Sequence, residues 1–210
     1  MTSATAKKEE RMAARREQIL QAAIACFSRK GYHLTTMDDI VAESGMSKGS
    51  LYWHYKSKKD ILISVAEWYF SQMMGEMMGM AQQAPTATDQ IKMLLAFVVE
   101  MMGAEDALLN VFFDFYAETR HDDEVTDAVR EVMMPFIDAI ADIVAEGVAS
   151  GEFRPVDART VAVTFMAAGD GLFLYRAILT EQFDWRGVAE FFSEMFLASL
   201  APEPGREPQP

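Results

Sequence analysis

Apolar residues return every three or four positions along almost the whole of this 210-residue chain, and no stretch alternates for long enough to make a trustworthy strand. That period restricts the chain to an all-α fold of about nine helices. Most of the periodic runs are long. Two near the start are short, and a Gly-containing turn joins them, which is the pattern of a helix-turn-helix.

The boundaries are written in cap residues. Ile19, Ala22, Ala23, Cys26 and Phe27 make one face of a first helix that stops at Gly31. Thr36 is an N-cap with Asp39 three residues on, and Gly45 closes that second helix. A third starts at Ser47. A fourth starts at Ser57, with Asp60 three residues on, and runs through Ile61, Leu62, Val65, Trp68, Tyr69 and Met73. Further helices are expected near 87–103, 107–119, 123–150, 157–180 and 184–200, with a kink or break at Pro135. Residues 1–12 read as a flexible charged arm and residues 201–210, with four prolines, as a disordered tail.

Charge divides the chain. Residues 1–60 carry 11 Lys and Arg against 7 Asp and Glu, a net of +4, whereas residues 61–210 carry 8 against 25, a net of −17. Such asymmetry suits a polyanion-binding part joined to a part that stays off polyanions. The apolar runs, such as 93–99, fall short of the roughly 18 residues of a membrane span, and the charged N-terminus has no signal-peptide core, so a soluble cytoplasmic protein is expected. One cysteine, Cys26, excludes an internal disulfide and reads as a buried thiol.

The stretch GMSKGSLYWHYKSKKDIL (45–62) concentrates the chemistry. As a recognition helix, its N-terminal residues enter the major groove. Lys48 donates to guanine O6 and N7, Gly49 permits close approach, and Ser50 reaches a base or a phosphate. Leu51 and Tyr55, four apart, share a face and suit the core. Tyr52, Trp53 and His54 then point partly outward, against DNA or else between helices. Lys56, Lys58 and Lys59 oppose the dipole of the helix they begin, and a phosphate relieves that conflict.

The segment from TTMDDIVAESG through KSKKDIL resembles the DNA-binding signature of the TetR family of transcriptional repressors, over about residues 13–62. Thr36, Ile40, Gly45, Ser47, Gly49, Leu51, Tyr52, His54, Lys58 and the aromatic Tyr55 carry the likeness; Val41 and Met46 replace a usual alanine and valine. The resemblance implies that Lys48, Gly49, Tyr52 and His54 reach bases or nearby backbone, and that Thr36, Tyr52 and Lys58 clamp phosphates. It also implies a helix-turn-helix domain at 13–57 and a ligand-binding domain at 58–200 that dimerises through its last two helices.

The second part supports this with its own residues. Phe165, Gly169 and Phe173 in one run, and Phe191, Phe192, Met195 and Phe196 in the next, form apolar stripes for a core or a dimer interface. Eight of sixteen methionines lie between 73 and 102, among them Met73, Met77 and Met101, and Phe112, Phe113 and Tyr116 follow. These suit either an adaptable pocket for a lipophilic molecule or a plastic core. Asp114 and Glu118, four apart, face either a cationic ligand or solvent; Arg120 and Arg176 are candidates for a carboxylate or acyl-thioester. His121-Asp122-Asp123 is a weak metal hint, and no catalytic motif accompanies it, so neither enzyme activity, cofactor nor metal is expected. The expected function is a homodimeric repressor that leaves its palindromic operator when a small effector binds, with control by a protein partner as the alternative.

Overall fold

The computed structural model describes residues 2–103, 108–179 and 182–202, with side chains from residue 6 onward except 103–110 and 112. Among the described residues there are nine α-helices and no strand: α1 (Thr2–Leu34), α2 (Met37–Ser44), α3 (Lys48–His54), α4 (Lys58–Ala81), α5 (Ala87–Gly103), α6 (Leu108–Glu118), α7 (Asp123–Ser150), α8 (Ala158–Leu179) and α9 (Trp185–Leu200). The tail's last eight residues lie outside the described set.

They form two units. The first holds residues 1–69 and 107–129; the second holds 70–106 and 130–210. The chain crosses from one to the other inside α4 and inside α7, so two continuous helices join them.

In the first unit α1 packs on α2 and on α6. Ile19, Ala23, Cys26 and Phe27 of α1, Ile40 of α2, Leu51 of α3, Ile61, Leu62 and Val65 of α4 and Phe115 of α6 are all buried. Their 3–4 spacing is what makes one closed core out of short elements, since two-turn helices have little stability without packing. α6, which the sequence assigns to the ligand domain, is part of this unit.

The second unit stacks α9 on α5 and α8. Ile91, Leu94 and Leu95, Phe136, Ile140 and Val144, and Phe165, Phe196 and Leu200 fill it. At its edge α7 ends at Gly151 in the left-handed region (φ 79°), and the chain folds back. Phe153 lies so close to Gly147 that a Cβ there would stand 2.1 Å from its ring.

Two boundaries differ from expectation. The expected arm is helical: α1 already begins at Thr2. And α7 is one helix from Asp123 to Ser150 with Pro135 inside it, so of the kink or break expected there the break is absent. Pro135 and Glu131, four residues earlier, are both exposed, so the carbonyl that loses its amide partner sits on the watered side.

Candidate nucleic-acid interface

α2, the turn and α3 are held by local hydrogen bonds that the sequence spells out. Thr36 Oγ1 accepts from the amide of Asp39 (3.2 Å), and the Asp39 carboxylate accepts from the Thr36 amide (2.7 Å), a complete capping box. Lys30 pairs with Asp39 at 2.5 Å. These partners hold the Asp39 carboxyl well below its ordinary pKa, the Lys30 contact first and the Thr36 bonds next. Gly45 takes φ 66°, the left-handed cap only glycine adopts freely, and Gln18 Nε2 donates to the freed carbonyl of Ser44 at 2.8 Å. Ser47 Oγ then accepts from the Ser50 amide at 3.2 Å and starts α3.

α3 divides cleanly into an anchored face and a bare one. Leu51 is fully buried and Tyr55, just past the helix, is 5% exposed. Arg16 Nε donates to the Tyr55 hydroxyl at 2.9 Å. On the other side Trp53 is 67% exposed and Tyr52 41%. Ser47, Lys48 and Gly49 are exposed and Ser50 half-buried. Lys48 pairs with Asp38 at 2.6 Å, on the surface, with its ammonium 6.0 Å from the Tyr52 ring. The Trp53 and His54 rings meet edge to face at 4.7 Å. His54 is half-buried, and burial, helped by the positive charges of Arg15 and Arg16, lowers its pKa.

The lysines after α3 part company. Lys56 is exposed. Lys59 bridges to Asp122 (3.0 Å) and Glu124, which keeps its charge and pushes its pKa up. Lys58, expected on phosphate, turns inward here. Gly31 leaves the helical path (φ 77°) just before the end of α1, where the Tyr32 carbonyl accepts from the Thr35 amide at 3.2 Å. The Lys58 ammonium donates to the carbonyls of Tyr32 (2.6 Å) and His33 (3.1 Å) and lies 4.3 Å over the Tyr32 ring. The Tyr32 amide donates to Asp114 at 2.7 Å. So Asp114, a candidate ligand contact, ties α6 to α1, and Glu118 beside it pairs with His33 at 3.0 Å.

The other candidate ligand residues fall in both units. Phe113 and Tyr116, half-buried, belong to the first; Met77, buried, and Met73, Met101 and Phe173, half-buried, belong to the second. The side chain of Phe112 lies outside the described residues. Arg176 donates to the Met101 carbonyl at 3.4 Å.

The dimerisation candidates other than the half-buried Phe173 sort into two sets. Phe165, Phe192 and Phe196 are buried in their own chain, with Phe165 and Phe196 rings 5.5 Å apart, and Gly169 is buried. These are core residues. Phe191 and Met195 are more than half exposed. Val188 of the same α9 stripe is exposed too, as are four apolar residues of α8 that sequence reading did not single out: Val163, Leu174, Tyr175 and Ile178. The period was visible, but the stripe covers both sides of each helix, and periodicity does not say which side faces home.

A buried-faced, bare-faced short helix, presented by a capped turn on a three-helix core, defines a helix-turn-helix DNA-binding protein with an additional helical unit. A family model described as bacterial regulatory proteins, tetR family, matches residues 19–65, and one described as BetI-type transcriptional repressor, C-terminal, matches residues 87–201. The chain belongs to the tetR family of helix-turn-helix transcription regulators. It is 26% identical over 178 residues to the uncharacterized regulator YfiR of Bacillus subtilis, covering 84% of this chain and 87% of that protein. Its fold matches FadR of Bacillus subtilis in complex with stearoyl-CoA, with TM-score 0.77, 20% identity, 88% of this chain and 98% of that one. It also matches a transcriptional regulator of Saccharomonospora viridis in complex with choline, with TM-score 0.77, 20% identity, 91% of this chain and all of that one.

Proposed function

We propose that the chain is a homodimeric, cytoplasmic repressor whose two α3 helices read half-sites of a palindromic operator, and which a small lipophilic effector releases. The bare face of α3 carries this reading: a lysine and two aromatic rings lie exposed on a helix whose opposite face is locked. Bulky rings left in water are uncommon unless they meet a partner. Lys48, Gly49 and Tyr52 address bases, with Thr36, Ser47, Ser50, Trp53, His54 and Lys56 on the backbone. Lys58 is assigned a different part, holding the end of α1 to the start of α4.

The exposed stripe on α8 and α9 supports pairing of two copies, and paired recognition helices suit half-sites about 34–36 Å apart. The effector acts through α4 and α6. α4 passes through both units, and α6 is bonded to the end of α1 through Asp114 and Glu118. A molecule that binds better when these helices shift favours the shifted state, and only by that difference in affinity. Met73, Met77, Met101 and Phe173, all in the second unit, are the proposed lining. The two ligands held by fold neighbours, an acyl-thioester and a quaternary amine, set the classes to try.

The test is selection of bound duplexes from random sequence, followed by binding of Lys48→Ala and Tyr52→Ala. Both should lose affinity for the selected duplex by about 1–3 kcal/mol each while melting like the parent chain. Unchanged binding by both would overturn the assignment of α3 to the groove. Thermal shift with stearoyl-CoA and with choline reads the effector class, and silence from both favours a protein partner instead.

A further inference from the structure

α1 is longer than the three-helix core needs: the described side chains at residues 6–18 of its first half are exposed. On that half, Lys7, Arg11, Arg15 and Gln18 recur at spacings of four, four and three, so they share one face, and Lys8 lies beside them. Of the acids on this half, Glu9 and Glu17 fall on other sides, and Glu10, three residues from Lys7, stands at the edge of the stripe. Lys7, Lys8, Arg11, Met12 and Arg15 line one shallow concave surface. Among the described residues no ion pair is made by these four cations, unlike Lys30, Lys48 and Lys59. Like charges four apart on a helix repel, so the stripe opposes the helix that carries it.

Its direction is set by one contact, at the Gln18 end. Gln18, the next residue on the same face, donates to the Ser44 carbonyl in the turn before α3. At the same end the positive charge of Arg15, after burial, helps to lower the His54 pKa. Arg16, by contrast, is spent inward on Tyr55 and Ser64.

We propose that the cationic stripe Lys7–Lys8–Arg11–Arg15 is a second DNA contact, a phosphate-binding extension of the α3 footprint built on the N-terminal half of α1. From Arg15 to Lys7 it spans about 12 Å at 1.5 Å per residue. It reads no sequence: isolated cations on a helix side suit phosphates, which position a protein without specifying bases. The charge balance fits duplex DNA as occupant, because the rest of the chain beyond residue 60 is net −17 and repels polyanions. The inference rests on the DNA-binding reading above.

The experiment uses the full chain and two fluorescent 40-bp duplexes, one selected by the parent protein and one of scrambled sequence, across a salt series. The variant carries Lys7→Ala, Lys8→Ala, Arg11→Ala and Arg15→Ala, all exposed positions where alanine keeps the helix. The expected result is a slope of log affinity against log salt that is shallower by about 3–4 units per bound protomer, with the preference for the selected duplex kept. Should the variant melt below the parent, Lys7→Ala and Arg11→Ala alone each remove about one unit. A full slope in these variants, beside a parent that binds, overturns the stripe and leaves α3 in place. A parent with no salt-sensitive duplex binding overturns the DNA reading, and the stripe with it.

Discussion

At the residue scale, neighbours on α3 have opposite tasks. Leu51 is fully buried and Trp53 two-thirds exposed. Leu51→Ala should destabilise the chain by about 2–5 kcal/mol in denaturant titration, as a large-to-small core change does. Trp53→Ala should shift stability by no more than about 0.5 kcal/mol yet weaken duplex binding. His54 adds a pH dependence. Its folded pKa lies below the ordinary 6.5 because burial and two arginines disfavour the imidazolium. The unfolded chain therefore takes up the proton first, so stability is full above about pH 6.5 and declines as pH falls through that value. His54→Gln should flatten the melting-temperature profile between pH 7 and 5. A bound phosphate reverses the sign at this site, so duplex affinity should rise over the same fall in pH.

At the element scale, the turn between α2 and α3 depends on one backbone conformation. Gly45→Ala places a side chain in the left-handed region and should cost about 1 kcal/mol in a thermal melt, without a steric clash, since no atom lies within 4 Å of the added Cβ. This is also where the sequence was most legible. Thr36, Gly45, Ser47, Ser57 and Asp60 act on neighbours within four residues, so their spacing marked α2, α3 and the start of α4 correctly. The contacts that Lys58 and Asp114 make were not legible, for the opposite reason. Their partners lie beside the Gly31 break in α1, far off in sequence: the carbonyls of Tyr32 and His33 are 26 and 25 residues from Lys58, and the Tyr32 amide is 82 from Asp114. The helical start at Thr2 was likewise missed, because an alanine- and charge-rich segment offers no apolar face to read.

At the scale of the whole molecule, α8 and α9 serve two masters. One side of each closes the chain's own core and the other presents Tyr175, Ile178, Phe191 and Met195 to solvent. α8 has the length and apolar composition of a membrane span, though Asp170 and Arg176 interrupt it. Ile178→Asp with Phe191→Asp should shift the sedimenting species from two copies to one with little loss of helix. Phe196→Ala should instead lower the melting temperature, with a cost of about 3–5 kcal/mol, as the ring is in its own chain's core. The lone Cys26 lies at 0% exposure in the first unit, its thiol pKa raised by burial. Nature has thus placed a single chemical stopwatch beneath the reading head. The pace at which a maleimide consumes it measures how often that bundle springs open, and a duplex that grips the head ought to slow the tick.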